Sequence, residues 1–156
     1  MKALYIGSFD PFTIGHYEVL KQAEELFNSI LVCIADNPTK KRRFDRLYTA
    51  KAIEKITKHN VIWSNALTTD LMQEYKIPYL IRGLRNTSDY LYEEQLIKQY
   101  KILKPDIKVV YFRADNDVSS TFVYELYKRK IDIQPYLPYD KKYLEMEYYM
   151  ENGFEK

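Results

Sequence analysis

Apolar residues fall along this chain in two alternating rhythms. Residues 2–6, 30–35, 60–63, 79–81 and 108–112 form short runs rich in β-branched and aromatic side chains, the composition of strands. Between the runs the period changes. Val19, Leu20, Ala23, Leu26 and Phe27 recur at i, i+1, i+4, i+7 and i+8, the stripe of a helix lying on a sheet. Tyr48, Ala52, Ile53 and Ile56 repeat that pattern, as do Tyr92, Leu96, Gln99, Tyr100 and Leu103. A further helix is predicted over residues 119–129. Beyond it Pro135 and Pro138 break the chain, and Tyr143, Met146 and Met150 predict a last amphipathic helix. Its stripe would pack on the same domain or on a neighbouring subunit.

Strands alternating with helices define the α/β class. The expected fold is one Rossmann-like open sheet of five parallel strands, joined by right-handed crossovers and flanked by helices. No repeat, linker or low-complexity stretch divides the chain, so a single domain over residues 1–156 is expected, with a Tyr-rich helical tail from about residue 135. Such sheets bind ligands beyond the carboxyl ends of their strands, where the strand order reverses. The residues that follow each strand are therefore the ones to read for chemistry.

Composition narrows the class of ligand. Across 156 residues, Lys and Arg number 24 against 22 Asp and Glu, a net charge of +2. That balance is too even for a general nucleic-acid binder, so any anion site must be local. The longest apolar run, residues 30–35, is far short of the roughly twenty needed to cross a bilayer, and neither a membrane span nor a signal peptide is read here. Cys33 is the single cysteine. It forms no intrachain disulfide, and a thiol within an apolar run suggests a buried group in the reducing cytoplasm. Glycine is scarce, four in all, against an average of about 7%. Three of them, Gly7, Gly15 and Gly83, fall within motifs.

The first motif is Gly7-Ser8-Phe9-Asp10-Pro11-Phe12-Thr13-Ile14-Gly15-His16, between the first strand and the first helix. A glycine at the strand end lets backbone approach a ligand, and the helix start presents free N–H groups and a positive dipole to an anion. His16 lies in that first turn, where its cationic form is disfavoured and its N–H can donate to an anion. His59, the other histidine, is expected at the surface or as a helix C-cap. After strand two come Lys40, Lys41, Arg42 and Arg43; either lysine can reach phosphates on the sheet edge as a mobile charge. Arg82-Gly83-Leu84-Arg85 follows strand four and offers two guanidinium forks, while Asp89 and Glu93 stand four apart on the next helix, able to orient an arginine or contact a ribose. Val118-Ser119-Ser120-Thr121 follows strand five and opens a helix, supplying hydroxyls and amides at another N-terminus. All four segments converge on one rim.

The first motif resembles the signature of the adenylyl- and cytidylyltransferase superfamily. Together with Pro38-Thr39-Lys40-Lys41, Asp70-Leu71-Met72 and the segment from Arg82 to Glu93, the chain resembles the phosphopantetheine adenylyltransferase family over most of its length. That resemblance implies transfer of AMP from ATP to 4′-phosphopantetheine, giving dephospho-coenzyme A and pyrophosphate, with Mg²⁺ and no covalent enzyme intermediate. It implies His16, Lys40 and Arg82 as catalytic residues. Ser8, Lys40, Met72 and Arg82 would contact phosphopantetheine. ATP would be held by Ser8, Phe9, His16, Gly83, Leu84, Arg85, Glu93, Val118, Ser119, Ser120 and Thr121. A homohexamer follows from the same resemblance. Two departures stand out. Asp115-Asn116-Asp117 occupies a stretch where the family carries a tryptophan, its two carboxylates set either to repel nucleotide phosphates, to face solvent or to recruit Mg²⁺, and the segment between Met72 and Arg82 is shorter than usual. The alternatives are another nucleotidyltransferase with the same Thr-x-Gly-His element, such as one acting on nicotinamide mononucleotide, or a non-catalytic sensor of adenine nucleotides or coenzyme A.

Overall fold

Five parallel strands make one sheet in the order β3-β2-β1-β4-β5 in the computed structural model, which describes residues 1–154. They are β1 (Lys2–Gly7), β2 (Ser29–Ile34), β3 (Asn60–Trp63), β4 (Tyr79–Leu84) and β5 (Lys108–Arg113). The helices are α1 (Ile14–Glu24), α2 (Arg46–Glu54), α3 (Thr68–Glu74), α4 (Thr87–Leu103), α5 (Ser120–Lys128) and α6 (Met146–Asn152), with 3-10 turns at Gln134–Tyr136 and Lys141–Leu144. Strand order reverses between β1 and β4, so the switch point lies beside Gly7 and Gly83.

Alternation along β1 separates two cores. Ala3 and Tyr5 face a layer that includes Val19, Leu20 and Ala23 of α1, Ala52 and Ile53 of α2, Val123 of α5, and Leu137 and Leu144 of the tail. Leu4 and Ile6 face Cys33, Leu80, Leu71, Met72 and Ile107 on the other side, where Ile97 and Tyr100 of α4 also pack. Each strand residue is committed to one face by the two-residue period.

Several expectations shift. Strand β4 runs through Arg82, Gly83 and Leu84 rather than ending at Ile81, because these residues pair with Tyr111, Phe112 and Arg113 of β5. The arginine of that motif is thus anchored on the sheet, not on a loop. Helix α3 was not expected; it has only seven residues and Leu67 gives no side-chain cap, so neither apolar period nor capping signals it. In α1 the stripe holds except at Leu26, which lies past the helix end and is exposed.

Helix α4 keeps only part of its predicted face on the sheet. Tyr92 and Leu103 of the apolar stripe are 66% and 55% exposed, and Gln99 is exposed too. The helix sits on the sheet through Tyr100 of that stripe together with Glu93 and Ile97, which lie outside it. The ion pair between Arg82 and Glu93 draws that face inward and leaves an apolar face outside. The tail also differs. Met146 and Met150 are exposed, while Tyr149 and Leu144 are buried. The tail packs on this same chain: Tyr149 stacks on Tyr48 of α2 with centroids 4.5 Å apart.

Candidate active site

The six-residue connection from β1 to α1, residues 8–13, folds tightly back on itself. Phe9 has a φ of 46° and its buried ring lies under Gly7, where a Cβ would meet Phe9 Cε1 at 2.9 Å. Only glycine leaves that ring in place. Phe9 packs edge-on against Tyr5, Phe12 and His16, with each centroid separation 5.1 Å. Buried Asp10 accepts hydrogen bonds from the backbone N–H groups of Arg43 and Phe44, both 2.8 Å. The loop is therefore floored by aromatic rings and tied sideways by a carboxylate.

Thr13 caps α1, its hydroxyl accepting from Gly15 N at 3.2 Å while its own N–H donates to His16 Nδ1 at 3.0 Å. With Nδ1 committed as an acceptor, the imidazole proton sits on Nε2. Burial, and secondarily the Arg85 charge, push the His16 pKa down to about 4. Near neutral pH the ring is a neutral N–H donor at a helix N-terminus. Thr13 Oγ1 also donates to Val118 O at 2.9 Å, fastening α1 to the loop before α5.

A cavity of about 370 Å³ opens at the carboxyl ends of β1 and β4, beside the switch point. It gathers Ser8, Phe9, His16, Arg82, Gly83, Arg85, Glu93 and residues 118–121 from the sequence-predicted set. Three are not on its wall. Leu84 is directed elsewhere, and Met72 is fully buried in the core beneath the sheet, so its side chain is not placed to contact a substrate. Lys40 borders a smaller cavity of about 90 Å³ that shares Ser8, Ser120 and Thr121 with the larger one.

Both arginines have carboxylate partners. Arg82 Nε donates to Glu93 Oε1 and Oε2 at 2.7 and 3.0 Å, and Nη2 joins the pair. Glu93 is 4% exposed; its carboxylate is spent on Arg82, and Arg82 keeps Nη1 without a partner among the described residues. Arg85 is bonded through its backbone N and Nε to Asp89 Oδ2 at 3.0 and 3.3 Å. At the start of α5, the Ser119 hydroxyl caps Phe122 N, Ser120 Oγ donates to Pro11 O at 2.7 Å, and Thr121 Oγ1 accepts from Arg43 Nη2 at 3.1 Å. What remains for an anion are the backbone amides of Ser120 and Thr121.

The substituted loop turns its carboxylates away. Asp115 N donates to both Glu18 carboxylate oxygens and Asn116 Nδ2 to one of them, 2.9 to 3.0 Å. Asp115 is exposed, the Asp117 side chain is 83% exposed and 3.9 Å from Arg85 Nη1, and neither borders the cavity.

Sequence reasoning missed the supports. Arg42 and Arg43 were grouped with the lysines, yet both are engaged in the protein (Arg42 Nη1 donates to Ser8 O at 2.9 Å). Glu18 and Tyr139, whose hydroxyl donates to Phe12 O at 2.8 Å, act on partners 97 and 127 residues away, which no local pattern signals. Asp10 and Thr13 lie inside the first motif, where the roles of Asp10 on the Arg43 and Phe44 amides and of Thr13 as the α1 N-cap emerge only in the fold. His59 is neither a surface group nor a C-cap; it follows the end of α2 and lies 3.4 Å from Glu24 Oε1, partly buried.

A parallel sheet whose switch point carries a neutral histidine, two helix N-termini and two arginines defines an α/β nucleotidyltransferase. Residues 4–126 match the cytidylyltransferase-like family model. The chain is 36% identical over 144 residues to the phosphopantetheine adenylyltransferase of Buchnera aphidicola subsp. Acyrthosiphon pisum (strain Tuc7), covering 87% of each chain. It is 38% identical over 143 residues to that of Streptococcus pyogenes serotype M2 (strain MGAS10270), covering 86% of this chain and 88% of that one. The chain belongs to the phosphopantetheine adenylyltransferase family. More distant structures share the fold: Thermotoga maritima TmcAL bound with alpha-thio ATP superposes with a TM-score of 0.67 at 15% identity, over 97% of this chain and 56% of that one. A lipopolysaccharide core biosynthesis protein from Thermoplasma volcanium GSS1 gives 0.55 at 21% identity, over 76% and 98%.

Proposed function

We propose that this chain transfers AMP from ATP to 4′-phosphopantetheine, forming dephospho-coenzyme A and releasing pyrophosphate. The observation that carries the reading is the locked tautomer of His16: Thr13 N holds Nδ1 at 3.0 Å, so Nε2–H is the donor facing a cavity rimmed by two helix N-termini and two arginines. An oxygen of the acceptor phosphate attacks the α-phosphorus of ATP, and the bond to the β-phosphate oxygen breaks with pyrophosphate leaving. Such a displacement is accelerated by alignment and by neutralising phosphate charge. His16 Nε2–H faces the α-phosphoryl oxygens, where charge concentrates in the transition state, and the α1 N-terminus adds its dipole, its Gly15 and His16 amides being taken by Thr13 Oγ1. The α5 amides and Arg85 hold the triphosphate. Arg82 through Nη1, with Lys40 across Ser8, holds the acceptor phosphate. Glu93 acts on the acceptor phosphate through Arg82 and not on ATP by direct contact.

Among the described residues no group of three or more His, Cys, Asp or Glu is arranged to hold a metal ion. Mg²⁺ therefore enters this reading as the counter-ion carried by ATP, offsetting the charge of its phosphates. The exposed apolar face of α4, with Leu91, Tyr92, Ile102 and Leu103, supports self-association, and a hexamer is part of the proposal. So is a cytoplasmic setting, motivated by the lone buried thiol Cys33. No described helix is long and apolar enough to cross a membrane.

The test is pyrophosphate release from ATP, Mg²⁺ and 4′-phosphopantetheine, with the product mass identified and His16→Ala run in parallel. Dephospho-coenzyme A formed by the parent protein and lost in the variant is expected. Faster adenylylation of nicotinamide mononucleotide, or ATP binding without any product, would overturn the reading.

A further inference from the structure

The segment carrying Lys40 and Lys41 is fastened at both ends. At its start, Asn37 Oδ1 accepts from the Thr39 N–H and hydroxyl at 2.9 and 2.7 Å, and Lys40 N donates to Asn37 O at 3.1 Å. At its end, Asp10 holds the Arg43 and Phe44 amides. The two lysines between them are exposed and have no carboxylate partner among the described residues. The adjacent arginines are wholly engaged. Arg42 spans Phe44 O, Ser8 O and Thr49 Oγ1 at 2.7, 2.9 and 3.3 Å. Arg43 lies over the Tyr124 ring, 4.9 Å from its centroid, and donates to Thr121 Oγ1 at 3.1 Å and to Asp10 O at 3.4 Å.

Four cations in a row all border the small cavity and divide into two lysines free to act there and two arginines that act as braces. The targets of the arginines, Ser8 and Thr121, are two of the three residues shared by the lysine cavity and the larger one. A planar guanidinium suits this task because its donors keep fixed directions, whereas an ammonium would leave the loop free to swing. A lysine that must meet a phosphate in line with a second reactant loses rate steeply when its support moves by an ångström.

We propose that Arg43 is a positioning residue for the acceptor side of the reaction, bracing the lysine segment against the α5 N-terminus so that Lys40 meets the attacking phosphate. The inference rests on the proposed function above. Arg43 borders the same small cavity but its Nη groups are given to Thr121 and Asp10, so it acts through Lys40, with Arg42 fastening the same segment to Ser8.

The deciding experiment is a double-mutant cycle in the full chain, with Arg43→Met, Lys40→Met and their combination assayed with ATP, Mg²⁺ and 4′-phosphopantetheine. Arg43→Met should lower kcat/KM for the acceptor about 10- to 100-fold. ATP affinity should change less than about threefold, since the Thr121 amide and not its hydroxyl is left for the nucleotide. In the Lys40→Met background the same substitution should cost less than about threefold, because the group it positions is gone. Arg43→Lys, which keeps the charge and folds more safely, should recover part of the loss. Losses that multiply independently, or a lowered melting temperature with unchanged kinetics per folded molecule, would overturn the proposal. Should the parent protein make no dephospho-coenzyme A, the acceptor reading fails separately. Bracing is then read from amide hydrogen exchange at Thr39 and Lys40, which Arg43→Lys should accelerate about tenfold; unchanged exchange would overturn it.

Discussion

His16 joins capping and chemistry in one ring, since the nitrogen that closes the α1 capping box fixes which nitrogen carries the proton. Removing Nε2–H by His16→Ala should lower turnover on the order of 100- to 1000-fold, the usual cost of one donor aimed at transition-state charge. ATP affinity should move by only a few-fold, checked by calorimetry beside steady-state rates. The depressed pKa, about 4, has a second consequence. Below about pH 6.5 the unfolded chain takes up a proton that the folded site refuses until about pH 4. Stability therefore falls as pH drops through that window. His16→Gln should lose less stability than the parent between about pH 7 and pH 4.5, measured by urea unfolding; equal losses would contradict the buried neutral ring. Arg82 and Glu93 share the same residue scale. Glu93→Gln strands a guanidinium whose side chain is 20% exposed, and a loss of about 2 to 3 kcal/mol is expected, short of the 3–5 for a fully buried pair.

Elements meet the site through their ends. The α1 N-terminus packs so closely on the loop before α5 that a Cβ at Gly15 would lie 3.0 Å from Val118 O and 3.1 Å from Asn116 Oδ1. Backbone cannot give way as a side-chain tip can. Gly15→Ala should then cost about 1 to 3 kcal/mol by overpacking and weaken ATP binding, because it parts the two helix N-termini that rim one cavity. At this scale the sequence was partly legible. An apolar period revealed α1, and the hydroxyls at residues 119–121 revealed the start of α5, whose N-cap is Ser119. Helix α3, short and uncapped, left no trace. The face of α4 was misread because an arginine on β4 draws Glu93 inward, a pairing across eleven residues of sequence that apolar periodicity cannot see.

On the scale of the molecule, the misread face becomes informative. An apolar stripe left outside on the longest helix calls for a covering surface, and a second copy of this chain is the proposed one. Sedimentation should show a multimer. The double substitution Ile102→Glu with Leu103→Glu should dissociate it while changing the stability of the protomer by less than about 0.5 kcal/mol, as exposed sites usually do. A parent protein that sediments as a monomer would refute self-association. By itself the sequence determined the parallel sheet and placed His16, Arg82 and Arg85 at its carboxyl edge, with Lys40 beside them, because periodicity and motif position are local properties of the chain. Only the tertiary structure decided which groups remain free to act. It spent Glu93 on Arg82, sank Met72 into the core, turned Asp115 and Asp117 to solvent, and separated two bracing arginines from two available lysines. Hydrogen-bond capacity is finite, and what is left for a ligand is known only after the distant partners have taken their share.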